Sequence, residues 1–127
     1  ASLTGRQKKM GETEMAYIDG FVIAVPKANR ERYRKMAAEA AKLFREWGAT
    51  RVVETWGDDV PEGEVTDFFR AVAAQPDEVV VFSWIEYPDK ATRDAVRKKM
   101  IEDMPVPDMP FDGKRMIYGG FETLLDR

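Results

Sequence analysis

Glu78-Val79-Val80-Val81-Phe82-Ser83-Trp84-Ile85-Glu86-Tyr87 is the stretch on which the fold reading turns. Its β-branched and aromatic residues predict a strand over 78–87. Alternate positions read Val79, Val81, Ile85 against Val80, Phe82, Trp84, so both faces are apolar. The stretch 17–25 behaves the same way: Tyr17, Asp19, Phe21, Ile23, Val25 oppose Ile18, Gly20, Val22, Ala24, and Pro26 closes it. A strand with one wet face would alternate apolar with polar, so these two are expected to be covered on both sides.

The remaining elements are read outward from these strands. Tyr33, Met36, Ala37, Ala40, Phe44 and Trp47 recur at helical spacing and predict a helix over 30–47. Asn29 is its expected N-cap, Gly48 its expected end, and Glu31–Lys35 a supporting i,i+4 pair. Residues 49–56 predict a strand and 57–63, rich in Gly, Asp and Pro, a loop. Thr66 is expected to cap a short helix carrying Phe68, Phe69 and Val72. Asp89 caps another helix, with Ala95, Val96 and Met100 on its buried side, and Pro105, Pro107 and Pro110 forbid its continuation. A last strand is predicted over 115–124, with Gly119-Gly120 as a bulge or a close approach. The order β-α-β-(short α)-β-α-β is an α+β, ferredoxin-like βαββαβ arrangement: an antiparallel four-stranded sheet with both long helices on one face.

Composition bounds the chemistry. At 127 residues and 14.5 kDa there is room for one domain. Residues 1–14 read as a tag or disordered leader, and 15–127 as the single ferredoxin-like α/β-barrel domain. The chain holds no Cys and no His. That excludes disulfides, thiolate zinc sites, a cysteine nucleophile and the usual imidazole base. No metal and no cofactor are expected, and Ser83 has no His with which to build a triad. The net charge of −3 does not favour nucleic acid, and no apolar run has membrane-spanning length. Cytoplasmic location is the default expectation.

One face of the sheet lies under the helices, and the other still carries large apolar side chains. One facing gathers Asp19, Phe21 and Ile23, then Val52, Glu54 and Trp56, then Phe82, Trp84 and Glu86, and finally Met116 and Tyr118. Either facing leaves a patch larger than a monomer normally exposes. A second copy covers it most simply, and two sheets stacked this way give a dimeric α/β barrel.

Four segments carry a resemblance to a known family. They are Tyr17-Ile18-Asp19-Gly20-Phe21-Val22; Asp59-Val60-Pro61 with Val65-Thr66-Asp67-Phe68; Val80 through Pro88; and Met109-Pro110-Phe111-Asp112-Gly113-Lys114-Arg115-Met116-Ile117-Tyr118-Gly119-Gly120-Phe121. Together they resemble the YbaA-like family of uncharacterised bacterial proteins, in the dimeric α/β-barrel superfamily. The likeness spans roughly residues 16–127. It implies the fold and the homodimer, and carries no catalytic residues to transfer.

Three constellations are candidates for chemistry. On the presumed open face, Glu54 and Glu86 are the candidate catalytic acid–base pair. Asp19, Phe21, Trp56, Trp84, Met116 and Tyr118 are the candidate ligand-binding wall. Against this stands the reading that the aromatics are dimer core and the carboxylates pair with Arg51, Arg115 or backbone amides. The acidic run Glu54, Asp58, Asp59, Glu62, Glu64, Asp67 lacks calcium-loop spacing and reads as a solvated loop. The basic set Lys90, Arg93, Arg97, Lys98, Lys99 reads as a solvated helix face. The leading functional reading is a homodimeric barrel that binds a small apolar or aromatic molecule. The alternatives are a cofactor-independent, monooxygenase-like enzyme using a carboxylate, and an interaction module whose cleft is filled.

Overall fold

The computed structural model describes residues 15–104 and 108–127. The expected leader and two of the expected helix-stopping prolines, Pro105 and Pro107, lie outside the described residues. The elements are β1 (Tyr17–Pro26), α1 (Arg30–Trp47), β2 (Arg51–Trp56), α2 (Phe68–Ala71), β3 (Glu78–Tyr87), α3 (Lys90–Asp103) and β4 (Ile117–Glu122). The strands form one antiparallel sheet in the order β2-β3-β1-β4. The chain is therefore α+β, with the two doubly apolar strands at the centre of the sheet. None of the described helices is long and apolar enough to cross a membrane.

The helix ends follow local chemistry, with three departures from expectation. Asn29 does not cap α1 through its side chain; its Nδ2 donates to the Pro110 carbonyl at 2.9 Å, tying the helix start to the approach to β4. Glu31 accepts from Arg34 at 2.8 Å, which draws it away from Lys35. Asp67, one residue past Thr66, caps α2 by accepting from the Arg70 amide. Gly48 ends α1 at φ +135°, where an added Cβ would also meet Thr92 Cγ2 at 2.7 Å. Asp89 caps α3 by accepting from the Thr92 amide at 2.7 Å.

Register settles which residues share a face. Asp19 lies opposite Ile85, Ile23 opposite Val81, and Glu54 opposite Ser83. Asp19, Phe21, Ile23 and Val25 therefore share a face with Ser83, Ile85 and Tyr87, and with Val52, Glu54 and Trp56. Both long helices cover this face: Tyr33 and Ala37 of α1 pack with Ile23, Val25 and Val81, and Val96 of α3 packs with Tyr17, Ile85 and Tyr87. Phe82, Trp84 and Glu86 point to the opposite face, with Ile18, Val22 and Val53. The grouping of Phe82, Trp84 and Glu86 with Asp19, Glu54 and Trp56 is thus corrected. β3 is apolar on both sides, and a one-residue shift in facing leaves its pattern equally plausible.

That second face is not wholly bare. Val72 and Phe69, in and beside α2, pack on Ala24, Val80 and Val22 at one end. The rest stays open, with Phe82 47% and Phe121 59% exposed. The Phe121 ring lies over the paired glycines Gly20 and Gly119, where added Cβ atoms would stand 3.5 and 3.7 Å from it. Gly120 faces the helices, and a Cβ there would come within 2.7 Å of Arg93 Nη2. The glycine pair is thus a close approach within an unbroken β1–β4 ladder.

The basic face of α3 also needs correction. Arg93 is buried and its Nε donates to both Asp19 oxygens at 3.1 and 3.2 Å. Arg97 reaches Asp19 Oδ1 at 3.4 Å, and Tyr87 Oη donates to Oδ2 at 3.2 Å. Ala95 is exposed, so the buried stripe of α3 is Arg93 and Val96. Asp19→Asn would leave the Arg93 guanidinium with only the half-exposed Asp94, 3.0 Å from its Nη1, as counter-charge. The expected cost is about 3 kcal/mol of folding stability by the usual penalty for breaking a buried pair, read as a lowered urea midpoint with unchanged slope.

Candidate functional site

The first candidate residue brought to a cleft is Glu54. It stands on the helix-side face of edge strand β2, and α1 runs over it. Between α1 and β2 lies an open cleft of about 370 Å³ lined by Arg30, Tyr33, Ala37, Ala41, Val52 and Trp56, with Glu54 in its wall. The small residues Ala37, Ala38 and Ala41 at helical spacing leave the room. Trp56 is partly buried, and the Arg30 guanidinium sits over its ring, 5.3 Å from the centroid.

Tyr33 donates to Glu54 Oε1 at 2.5 Å. Loss of hydration beside α1 raises the Glu54 carboxyl above the ordinary range, outweighing the Tyr33 and Ser83 hydrogen bonds that favour its charged form. Glu54 remains exposed along the cleft, so this is a crowded, partly wet carboxyl group. Burial, then the Glu54 charge, pushes the Tyr33 hydroxyl well above the phenol range, so it acts as a fixed donor. Among the described residues no cation lies within ion-pair distance of Glu54.

The other predicted site residues divide between two places. Asp19 is committed to Arg93 and Arg97. Phe21 stacks on Tyr118 at 6.3 Å on the same face, and Arg97 lies 5.8 Å over the Tyr118 ring. Met116 packs against the cluster that contains Tyr33 and Ile23. Trp84 and Glu86 sit on the open face, where Trp84 Nε1 donates to Glu86 Oε2 at 2.9 Å and Arg51 approaches Glu86 at 3.5 Å. Glu54 and Glu86 therefore stand on opposite sides of the sheet and do not form one acid–base pair. Arg115, a candidate partner for these acids, instead forks onto Glu78 with two bonds of 2.7 Å. The acidic loop after β2 gathers no group of three or more metal-ligating side chains among the described residues.

Sequence reasoning passed over Tyr33, Ser83 and Arg30. Tyr33 was legible only as part of the apolar stripe of α1. The usable signal was that a buried phenol must find a partner for its hydroxyl, and Glu54 was the unpaired acid on the facing strand. Arg30 was one cation among many on an exposed helix.

The raised Glu54 carboxyl has a consequence for stability. Its folded-state pKa exceeds the unfolded value near 4.5, so the native state binds more protons across that interval. The stability it contributes is full below the unfolded pKa and declines as pH rises through the folded one. Wild type minus Glu54→Gln should therefore show a more favourable melting-temperature difference at pH 4 than at pH 7. A difference that grows with pH would contradict the upward shift.

With this geometry in place, relatives can be compared. A family described as "Protein of unknown function (DUF1428)" matches residues 16–113. The protein named "Uncharacterized protein YbaA" from Escherichia coli (strain K12) is 59% identical over 116 residues, covering 88% of this chain and 99% of that protein. The proteins of the same name from Escherichia coli O157:H7 and Shigella flexneri match to the same extent. The match takes in β1 through α3 and the turn leading to β4, including Tyr33, Glu54, Asp19 and Arg93. The chain belongs to the DUF1428 family, the YbaA-like proteins of unknown function.

Proposed function

We propose that the protein is a homodimeric barrel in which each protomer holds a small apolar or aromatic molecule in the cleft between α1 and β2. The observation that carries the ligand reading is the cleft itself: open, walled by alanines, Val52 and Trp56, and marked by one carboxyl group whose hydrogen-bond partner is a phenol. Apolar walls with a few placed polar groups are the usual make-up of a small-molecule site. An unfilled cleft supports binding over an interaction module packed with its own side chains. A second reading, cofactor-independent acid–base catalysis by Glu54, is favoured by the upward shift of that carboxyl group alone.

The dimer reading rests on the opposite face. Ile18, Val22, Val53, Phe82, Trp84 and Phe121 share it, and α2 covers only one end. Phe82 lies 5.6 Å from Trp84 and 6.1 Å from Phe68, so the exposed rings are contiguous. A second copy stacked sheet on sheet would bury this patch and leave the α1/β2 cleft of each protomer accessible from the other side.

Light scattering behind a sizing column should give twice the 14.5 kDa chain mass. Phe82→Asp, at a half-exposed position, should give the single mass with its fold retained. A wild-type monomer at micromolar concentration would refute the pairing.

For the cleft, indole and 2-naphthol serve as probes in protein-observed NMR. Their shifts should cluster at Trp56, Ala38 and Thr55 and should shrink at least severalfold in Glu54→Gln. Glu86→Gln, on the far face, should bind as wild type does. Shifts centred on Trp84 would move the site to the sheet interface and end the cleft assignment.

A further inference from the structure

We infer that the α1/β2 cleft takes an apolar carboxylate, an alkyl acid bearing a hydroxyl or oxo group near its acid end. This rests on the cleft reading above and narrows it to one chemical class. The groups along the cleft fall in a fixed order. α1 runs past β2 so that Arg30 meets Trp56, Tyr33 meets Glu54, and Ala37 and Ala41 share the wall with Val52. The cleft thus has a cationic end, a hydrogen-bonding middle and an apolar end.

At the cationic end, Arg30 rests on the Trp56 ring, and among the described residues no carboxylate lies within ion-pair distance of it. A guanidinium placed over an indole and without a carboxylate partner keeps its N–H donors free, and an arginine fork receives a carboxylate in two parallel bonds. Arg34 adds a second positive charge on the same rim, although its Nε is shared with Glu31 at 2.8 Å. An anion is therefore the charge-complementary occupant of this end.

In the middle, the Tyr33–Glu54 pair offers hydrogen bonding to a hydroxyl or carbonyl oxygen. The groups facing Glu54 are Tyr33, Arg30 and Arg34 from α1 and Ser83 from β3. Beyond it, Ala37, Ala38, Ala41 and Val52 present only methyl groups and backbone. From Val52 to Trp56 the strand advances about 13 Å at roughly 3.3 Å per residue. That span admits an alkyl chain of medium length, lying along the alanines, and is long for a single aromatic ring.

The test uses three probes of equal chain length: 3-hydroxyoctanoate, octanoate and neutral octanamide, each titrated below its aggregation limit against the isotope-labelled full chain. The expected order of affinity is hydroxy acid, then acid, then amide, with octanoate about tenfold tighter than octanamide. All three should shift Trp56 and Ala38. Arg30→Gln, at an exposed position that leaves the core intact, should bring octanoate down to the affinity of octanamide and leave octanamide unchanged. Glu54→Leu should remove the preference for the hydroxyl. Ala41→Leu should weaken octanoate severalfold by filling the apolar end, and melting curves confirm that each variant is folded.

Equal binding of octanoate and octanamide at the cleft would overturn the carboxylate class and leave the small-molecule reading standing. No shift at Trp56 or Ala38 with these three probes, nor with indole or 2-naphthol, would overturn both. Shifts at Trp84 alone would place the chain on the open sheet face and refute this site.

Discussion

Asp19 is the only charged side chain on the central strand β1, and its burial sets the layering of the molecule. A carboxylate at 3% exposure must be matched by charge and hydrogen bonds or lose its ionisation. Arg93, Arg97 and Tyr87 supply that match from one side of the sheet. α3 is thereby held to the face that Asp19 points to. Antiparallel register then propagates the choice: with Asp19 opposite Ile85, β3 turns Ser83 and Tyr87 inward and Trp84 and Glu86 outward. With Ser83 opposite Glu54, β2 turns its own carboxylate under α1. One ionic contact therefore decides which aromatics become core, which become surface and which acid faces the cleft.

Element order was legible from periodicity and punctuation because these are local properties. β3 occupies the residues that its apolar run marks, α1 stops at Gly48, and α3 begins after Asp89. Strand facing was not legible in the same way. β1 and β3 are apolar on both sides, so the alternation that normally reports an inside and an outside carries no sign. What could break the tie lay elsewhere in the chain, in a helix that places Arg93 one turn after Asp89. Read as one of several surface cations, Arg93 looked solvated; read as the partner of Asp19, it orients the sheet. The same holds for the candidate site. Glu54 and Trp56 were assigned a shared face because two-residue spacing guarantees it, and they do share one. Joining them to Trp84 and Glu86 required the facing of β3, which no local pattern contains.

The two faces that result have different chemistry. On the helix side the polar groups are matched across elements, Asp19 to α3 and Glu54 to α1, while Glu78, at the head of β3 on the reverse face, pairs with Arg115 ahead of β4. Elsewhere on the reverse side Glu86 accepts from Trp84 and faces Arg51, and the remaining contacts are aromatic and open, Phe82 against Trp84 and Phe68, with Phe121 laid over two glycines. The glycines remove side chains where the edge strand meets β1, and the ring covers the backbone left behind. This face is largely apolar and only partly covered, by α2 at one end. The helix side, closed by its own pairs, is suited to a small guest only where a pair leaves space beside it.

Glu54 is that place, and comparison with the other matched carboxylates shows why. Asp19 and Glu78 each face a guanidinium, and the Arg115 fork holds the Glu78 carboxyl below the ordinary range. Glu78, held in its charged form by that fork, serves the fold. Glu54 faces a phenol instead. A neutral donor satisfies one oxygen without supplying charge, so desolvation prevails and the carboxyl is drawn upward. The cation that could have neutralised it, Arg30, is engaged with the Trp56 ring at the end of the cleft. Arginines pair with Asp19 and Glu78, while among the described residues none lies within ion-pair distance of Glu54, which stands beside an open cavity. The Tyr33–Glu54 pair stands between the Arg30 end of the cleft and its alanine-lined end, and this order of groups is what the proposed carboxylate ligand would match.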